Sequence, residues 1–108
     1  MKYYVELTER ALEDLESIYE YIAFMLLEPA IAENVANRIT DALQTLEENP
    51  KRYPIYQEEP WKSRELRRII IGNYNGYYIV DEKFVHVVRI SYGGRDIVTI
   101  LDGIEDLE

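Results

Sequence analysis

The chain contains no cysteine, one histidine and one tryptophan. Without cysteine there is no disulfide framework, no thiolate metal site and no thiol nucleophile. Folding in a reducing compartment is open to such a chain. The opening residues, Met1-Lys2-Tyr3-Tyr4-Val5-Glu6, lack the apolar segment of a secretory signal. The longest apolar run, Ile22–Leu27, is far short of the roughly 20 residues that cross a bilayer, so no membrane partner is expected. No glycine-rich phosphate loop is present, since Gly93-Gly94 alone does not make one. Basic residues are few: 12 Lys+Arg stand against 21 Asp+Glu, a net charge of −9. That balance disfavours general attraction to nucleic acid or to an anionic membrane.

What is present suits one compact domain spanning 1–108. The length is that of a single hydrophobic core, and an apolar share of 47% is ordinary for a globular chain. The charge is uneven. Residues 1–48 carry net −8, residues 49–96 net +3 and residues 97–108 net −4. A mildly basic middle is therefore flanked by acidic ends, and such asymmetry says more about partners than the total does.

Residues 2–7 alternate and read as a short strand. Thr8 is placed to cap a helix, and Ala11, Leu15, Ile18, Ile22 and Leu26 form its apolar stripe. Glu28-Pro29 ends that helix, and Pro29 suits the first turn of the next. In the second helix Ile31, Val35, Ile39, Ala42 and Leu46 make the stripe, and Asn49-Pro50 stops it. Two helices with almost no linker predict an antiparallel hairpin. Residues 50–65, with Pro50, Pro54 and Pro60, read as a long loop of the kind that often carries function. Strands are expected at Leu66–Ile71, Tyr74–Val80 and Phe84–Ser91, with a last short one at Arg95–Leu101. The order β-α-α-β-β-β(β) predicts an α+β domain in two layers. Its helical hairpin covers one face of a mainly antiparallel twisted sheet and leaves the other face partly open. Alternation along Phe84–Ser91 puts Phe84, Val88 and Ile90 on one face and Val85, Val87 and Arg89 on the other, as in a central strand.

Candidate functional side chains are few. His86 is the one histidine. A general base is one use for it, but its place on a strand face with Phe84 and Val88 favours a packed structural role. Glu9, Glu13, Glu16 and Glu20 follow helical spacing and read as a solvated face. No spacing singles out metal ligands, so neither metal nor cofactor is expected. Arginine binds phosphate or carboxylate at any physiological pH. Arg67 and Arg68 point to opposite faces of their strand, and Arg89 and Arg95 lie at and beyond the end of another. The alternative for all four is pairing with the many acids. Ten tyrosines suggest interfaces. Tyr77 and Tyr78 face opposite sides, so one belongs to the core. Trp61 is either a core plug or an exposed anchor.

In order along the chain stand Arg68-Ile69-Ile70-Ile71-Gly72-Asn73-Tyr74, Tyr78-Ile79-Val80-Asp81, Val88-Arg89-Ile90 and Gly94-Arg95-Asp96. With the helix entered at Thr8 and the Asn49-Pro50 exit, this set resembles the RelE/ParE superfamily, the toxin halves of bacterial toxin–antitoxin pairs. The ParE branch often closes on His-Gly-x-Arg-Asp; here Tyr92 replaces the His. The resemblance implies the fold just described, a cytoplasmic location and a cognate antitoxin that wraps the toxin. The antitoxin is expected to use the outer surface of the helical hairpin and the open sheet edge, by strand addition or by helix-in-groove binding.

The superfamily has two activities. RelE-like members cleave mRNA in the ribosomal A site with basic residues on the scissile phosphate. Here Asn75 stands where they usually carry Arg, and their late Tyr or His falls near the apolar Ile100 and Leu101. Only Arg95 matches, with Arg68 and Arg89 as further candidate phosphate holders. ParE-like members inhibit DNA gyrase by protein contact. The resemblance to that branch implies a gyrase-binding toxin with Arg68, Tyr74, Tyr78, Arg89, Tyr92, Arg95 and Asp96 as target-binding residues. An mRNA endoribonuclease and an inactive relative that only binds antitoxin are the alternatives.

Overall fold

The structure is a computed structural model that describes residues 2–93. The expected strand at Arg95–Leu101, the acidic tail, and Arg95 and Asp96 themselves lie outside the described residues. Within them the order is β1 (Tyr4–Leu7), α1 (Glu9–Glu20), α2 (Pro29–Gln44), β2 (Arg67–Ile71), β3 (Tyr74–Val80) and β4 (Phe84–Tyr92). The four strands form one sheet in the order β1-β4-β3-β2. β2, β3 and β4 are joined antiparallel, and β1 lies parallel to β4. The expected α+β architecture with a helical hairpin on a mainly antiparallel sheet is therefore present.

Thr8 caps α1 as its sequence position predicts. Its Oγ1 accepts from the Ala11 N–H at 3.2 Å and donates to the Val88 carbonyl at 3.3 Å. One side chain thus starts the helix and ties it to β4. Caps of this kind contribute about 1 kcal/mol. The helices bury Ala11, Ile39, Leu43 and Leu46 against Ile69, Ile71, Tyr78, Val85, Val87 and Ile90 of the sheet. Gly76 in β3 permits the close approach of α2. A Cβ there would lie 3.0 Å from Leu43 Cδ2 and 3.1 Å from Ile69 Cγ2.

Three expectations are corrected. The first helix does not run to Glu28. After Glu20 the chain makes one wide turn of π-helix, Tyr21–Met25, and Leu27 then takes a left-handed φ of 57° that reverses the chain. The wider turn rotates the residues beyond it about the helix axis. Ile22 and Ala23 stay buried, but Leu26, read as part of the apolar stripe, is exposed.

The second correction concerns how much of the far face of the sheet is open: Tyr4, Ile70 and Phe84 stay exposed there as expected, but its middle is covered. Loop 53–66 folds over it, and Trp61 and Leu66 bury against Tyr77 and Val88, with Tyr56 and Ile79 at the margin. Trp61 is thus the plug of a second small core. Tyr77 and Tyr78 divide between the two cores as alternation requires.

Third, the simple alternation along β4 fails. Tyr77 pairs with Arg89 while Tyr78 pairs with Val87, so Val88 is the extra residue of a β-bulge. Val85, Val87 and Ile90 consequently share the helix-side core, and Val88 joins Trp61. β4 is central, as expected.

Candidate functional site

Of the seven residues predicted to bind a target, five are described, and the fold separates them. Tyr78 is fully buried and donates its hydroxyl to the Pro50 carbonyl at 2.6 Å. Burial pushes its phenol up to about 12, against partial relief from Arg67 and Arg52. It anchors the loop exit of α2 and presents nothing to a partner, so its predicted binding role is withdrawn.

Arg89 is also committed internally. Its Nε donates to Asp14 Oδ2 at 2.7 Å and its Nη2 to Asp14 Oδ1 at 3.1 Å, a bidentate pair whose side chains are 13% and 14% exposed. Asp14 Oδ2 accepts in addition from the Ile90 N–H at 3.0 Å. A guanidinium held this way does not hold a phosphate. The simpler expectation, pairing with an acid, applies to Arg89.

Arg68 is exposed on β2, with its guanidinium 6.0 Å from the centre of the Tyr56 ring. It lies on the loop side of the sheet, whereas Arg89 reaches α1 on the helix side. These two arginines do not converge. Arg67 faces the other way from Arg68 and donates to the Lys51 and Tyr53 carbonyls at 3.0 and 2.6 Å. Asn75 is half-buried beside the β2–β3 turn.

Tyr74 and Tyr92 do come together. They are cross-strand partners, with rings edge-on at 5.5 Å. Burial and the neighbouring Tyr92 raise the Tyr74 phenol above its usual range. This pair closes one end of a groove of about 830 Å³ between the hairpin and the ends of β3 and β4. Ile18, Tyr21, Ile22, Leu26, Ile31 and Val35 form the helical wall, and Ile90, Ser91 and Tyr92 the sheet wall. Ser91 is 3% exposed, and among the described residues its Oγ is the one buried side-chain polar atom without a hydrogen-bond partner.

Beyond the groove the hairpin tip exposes Phe24, Met25 and Leu27, which are 68%, 73% and 76% accessible. A contiguous apolar surface of this sort marks a site of interaction. Periodicity alone places these residues inside a continuous helix. The run Ile22–Leu27 held the signal, because six successive apolar residues cannot share one face of an α-helix.

Chemically the arrangement is suited to binding. Among the described residues no group of His, Asp and Glu side chains could hold a metal ion. No helix among them is long and apolar enough to cross a membrane. The groove offers apolar walls, two tyrosine edges and one free buried hydroxyl.

Comparison with known structures finds the same fold in toxin–antitoxin systems. The chromosomal ParDE system of P. aeruginosa matches with a TM-score of 0.71 at 19% identity, over 85% of this chain and 97% of that one. The RelBE2 toxin–antitoxin complex of Mycobacterium tuberculosis matches with a TM-score of 0.61 at 20% identity, over 88% and 95%. The RelE–RelB complex of the archaeon Pyrococcus horikoshii OT3 gives 0.59 at 19% identity, over 89% and 100%. A sequence search of curated proteins finds no significant match. At the level of families, residues 5–97 match the ParE toxin of type II toxin–antitoxin systems, parDE. With most of its length matched, from β1 through the Arg95-Asp96 pair, the chain belongs to the ParE toxin family of type II toxin–antitoxin systems.

Proposed function

We propose that this toxin inhibits growth by binding a protein target, DNA gyrase, and that a cognate antitoxin neutralises it by occupying the groove between the hairpin and β3–β4. Both partners place its action in the cytoplasm. The observation that carries the reading is the Arg89–Asp14 pair. A nuclease needs cations free to stabilise charge on the scissile phosphate, and this arginine is spent on holding α1 to β4. Arg68, on the opposite side of the sheet, cannot replace it. The match to the ParE family, together with Asn75 in place of the arginine usual in RelE-like enzymes, supports the same choice. The solved relatives come from toxin–antitoxin systems, and the groove here has the apolar walls that anchor a partner's helix or strand.

A supercoiling assay with purified protein tests the target. Inhibition of gyrase, with mRNA left intact in a translating extract, is the expected outcome. Cleaved message, lost in Arg95→Ala, would replace the reading with ribosome-dependent RNA cleavage. Neither effect, together with tight antitoxin binding, would make the chain an inactive relative.

A further inference from the structure

His86 is the only histidine of the chain, and both of its ring nitrogens are engaged by carboxylates. Nδ1 lies 2.8 Å from Glu6 Oε1 on β1, and Nε2 lies 2.7 Å from Asp81 Oδ2 in the β3–β4 turn. Among the described residues Glu6 and Asp81 are the charged groups that face the ring. Phe84 stacks on it at 5.8 Å, and its partner across β3 is the uncharged Ile79.

A neutral imidazole has a single N–H and can donate to one carboxylate only. Its other nitrogen would direct a lone pair at a carboxylate oxygen within hydrogen-bond distance, which is repulsive. Both contacts together belong to the imidazolium. We propose that His86 is a proton-operated staple: charged, it fastens edge strand β1 to the β3–β4 turn, and on losing its proton it keeps Asp81 and releases Glu6.

The asymmetry follows from how each carboxylate is held. Asp81 Oδ1 accepts from the backbone N–H groups of Lys83 at 3.2 Å and Phe84 at 2.9 Å. The turn therefore keeps its other oxygen aimed at Nε2. Among the described residues Glu6 has no hydrogen-bonded side-chain partner except His86. The remaining proton stays on Nε2, and Glu6, left facing a lone pair, swings out.

β1 is four residues long, and among the described residues it pairs on one side only, with β4. Its backbone ladder and the packing of Tyr3, Val5 and Leu7 on the main core hold the strand, and the Glu6–His86 tie adds to them on the more exposed face. Releasing that tie loosens β1 along β4, the strand whose far end walls the groove.

Burial disfavours the charged ring, but the bonds from Asp81 and then Glu6 outweigh it and raise the His86 pKa above 6.5. The staple is therefore complete below pH 6.5 and opens as pH rises through the raised value.

Because the chain has one histidine, a nitrogen-15 NMR titration of the imidazole in the full chain reports this site alone. Expected are two protonated nitrogens in mild acid, a midpoint above 6.5, and the Nε2–H tautomer beyond it. Glu6→Gln should lower the midpoint and retain that tautomer. Asp81→Asn should lower it and switch the proton to Nδ1.

Across the midpoint, intrinsic-rate-corrected hydrogen exchange of the β1 amides should quicken by about threefold or more relative to β3. Glu6→Gln should abolish that pH dependence without the risk of removing the ring. A midpoint at or below 6.5, an Nδ1–H tautomer in the wild type, or β1 protection that ignores the titration would each overturn the proposal.

Discussion

Arg89 and Asp14 are joined by two hydrogen bonds across the interface between β4 and α1. They are 75 residues apart in sequence. The bulge at Val88 sets the local register of Arg89, and Asp14 also accepts the Ile90 N–H just past it. The pair therefore fixes the helix against a central strand at one end of the groove.

Removing one member leaves the other charged and enclosed. Arg89→Ala should cost about 3 kcal/mol in urea unfolding, as for other buried pairs broken on one side. The double variant Asp14→Asn with Arg89→Met keeps an acceptor for Ile90 and removes both charges. It should recover most of that loss. Full stability in Arg89→Ala would show that the pair is not structural and would free Arg89 for a ligand.

Tyr78→Phe should lower stability by about 1–2 kcal/mol, the cost of leaving the Pro50 carbonyl unpaired in the core. Toxicity at a temperature where the variant is folded should be unchanged. Reduced target binding by a fully folded Tyr78→Phe protein would return this residue to the binding surface.

Gly76→Ala should destabilise by about 1–3 kcal/mol, because Leu43 and Ile69 must both give way to the new methyl group. Truncating Leu43 to Ala in the same chain should remove the nearer of the two close contacts and leave the one with Ile69. The two changes should then be non-additive in denaturant unfolding, since they share one contact.

Leu26→Asp changes a half-exposed wall residue of the groove and should alter stability by less than about 0.5 kcal/mol. Antitoxin affinity should fall at least about tenfold, the equivalent of roughly 1.4 kcal/mol, measured by titration calorimetry. Unaltered affinity would move the antitoxin off this groove. The hairpin tip at Phe24 and Met25 would be the next place to test.

Stability should depend on pH from two directions. The His86 hydrogen bond, then the Phe84 backbone N–H, lower the Asp81 carboxyl below 3.8. Its contribution is present above 3.8 and is lost as pH falls through the lowered value. The contribution of His86 is present below 6.5 and is lost as pH rises through its raised value. The thermal midpoint should therefore be highest from about pH 4 to 6.5. His86→Gln should flatten the alkaline side, and a wild-type midpoint independent of pH across that side would contradict the bonding seen.

Much of the fold was legible in the sequence because each element carried its own local signal. Thr8 named the start of α1, Pro29 the start of α2, and the β-branched runs after Leu66 the three sheet strands. The superfamily resemblance rested on ordered short pieces between Arg68 and Asp96, and those pieces lie on or just beyond β2, β3 and β4. The roles of individual side chains were far less legible. Arg89 and Tyr78 read as ligand-binding residues because arginine and tyrosine commonly are, yet whether such a group is free depends on what the chain brings beside it.

The sequence alone determined where the described helices and strands begin, their apolar stripes except at Leu26 and Ile31, and an acidic first half around a basic middle. These properties arise from residue-by-residue preference and from periodicity, which are local. The tertiary structure decided the rest. It inserted an extra residue at Val88 and a wide turn at Tyr21–Met25, so that faces predicted by simple alternation were exchanged. It folded Trp61 over the far face of the sheet, paired Arg89 with Asp14, and set His86 between Glu6 and Asp81. Contacts between residues some 75–80 positions apart leave no periodic trace in the chain. Their strength comes from burial and hydrogen-bond geometry, which exist only once the layers are packed.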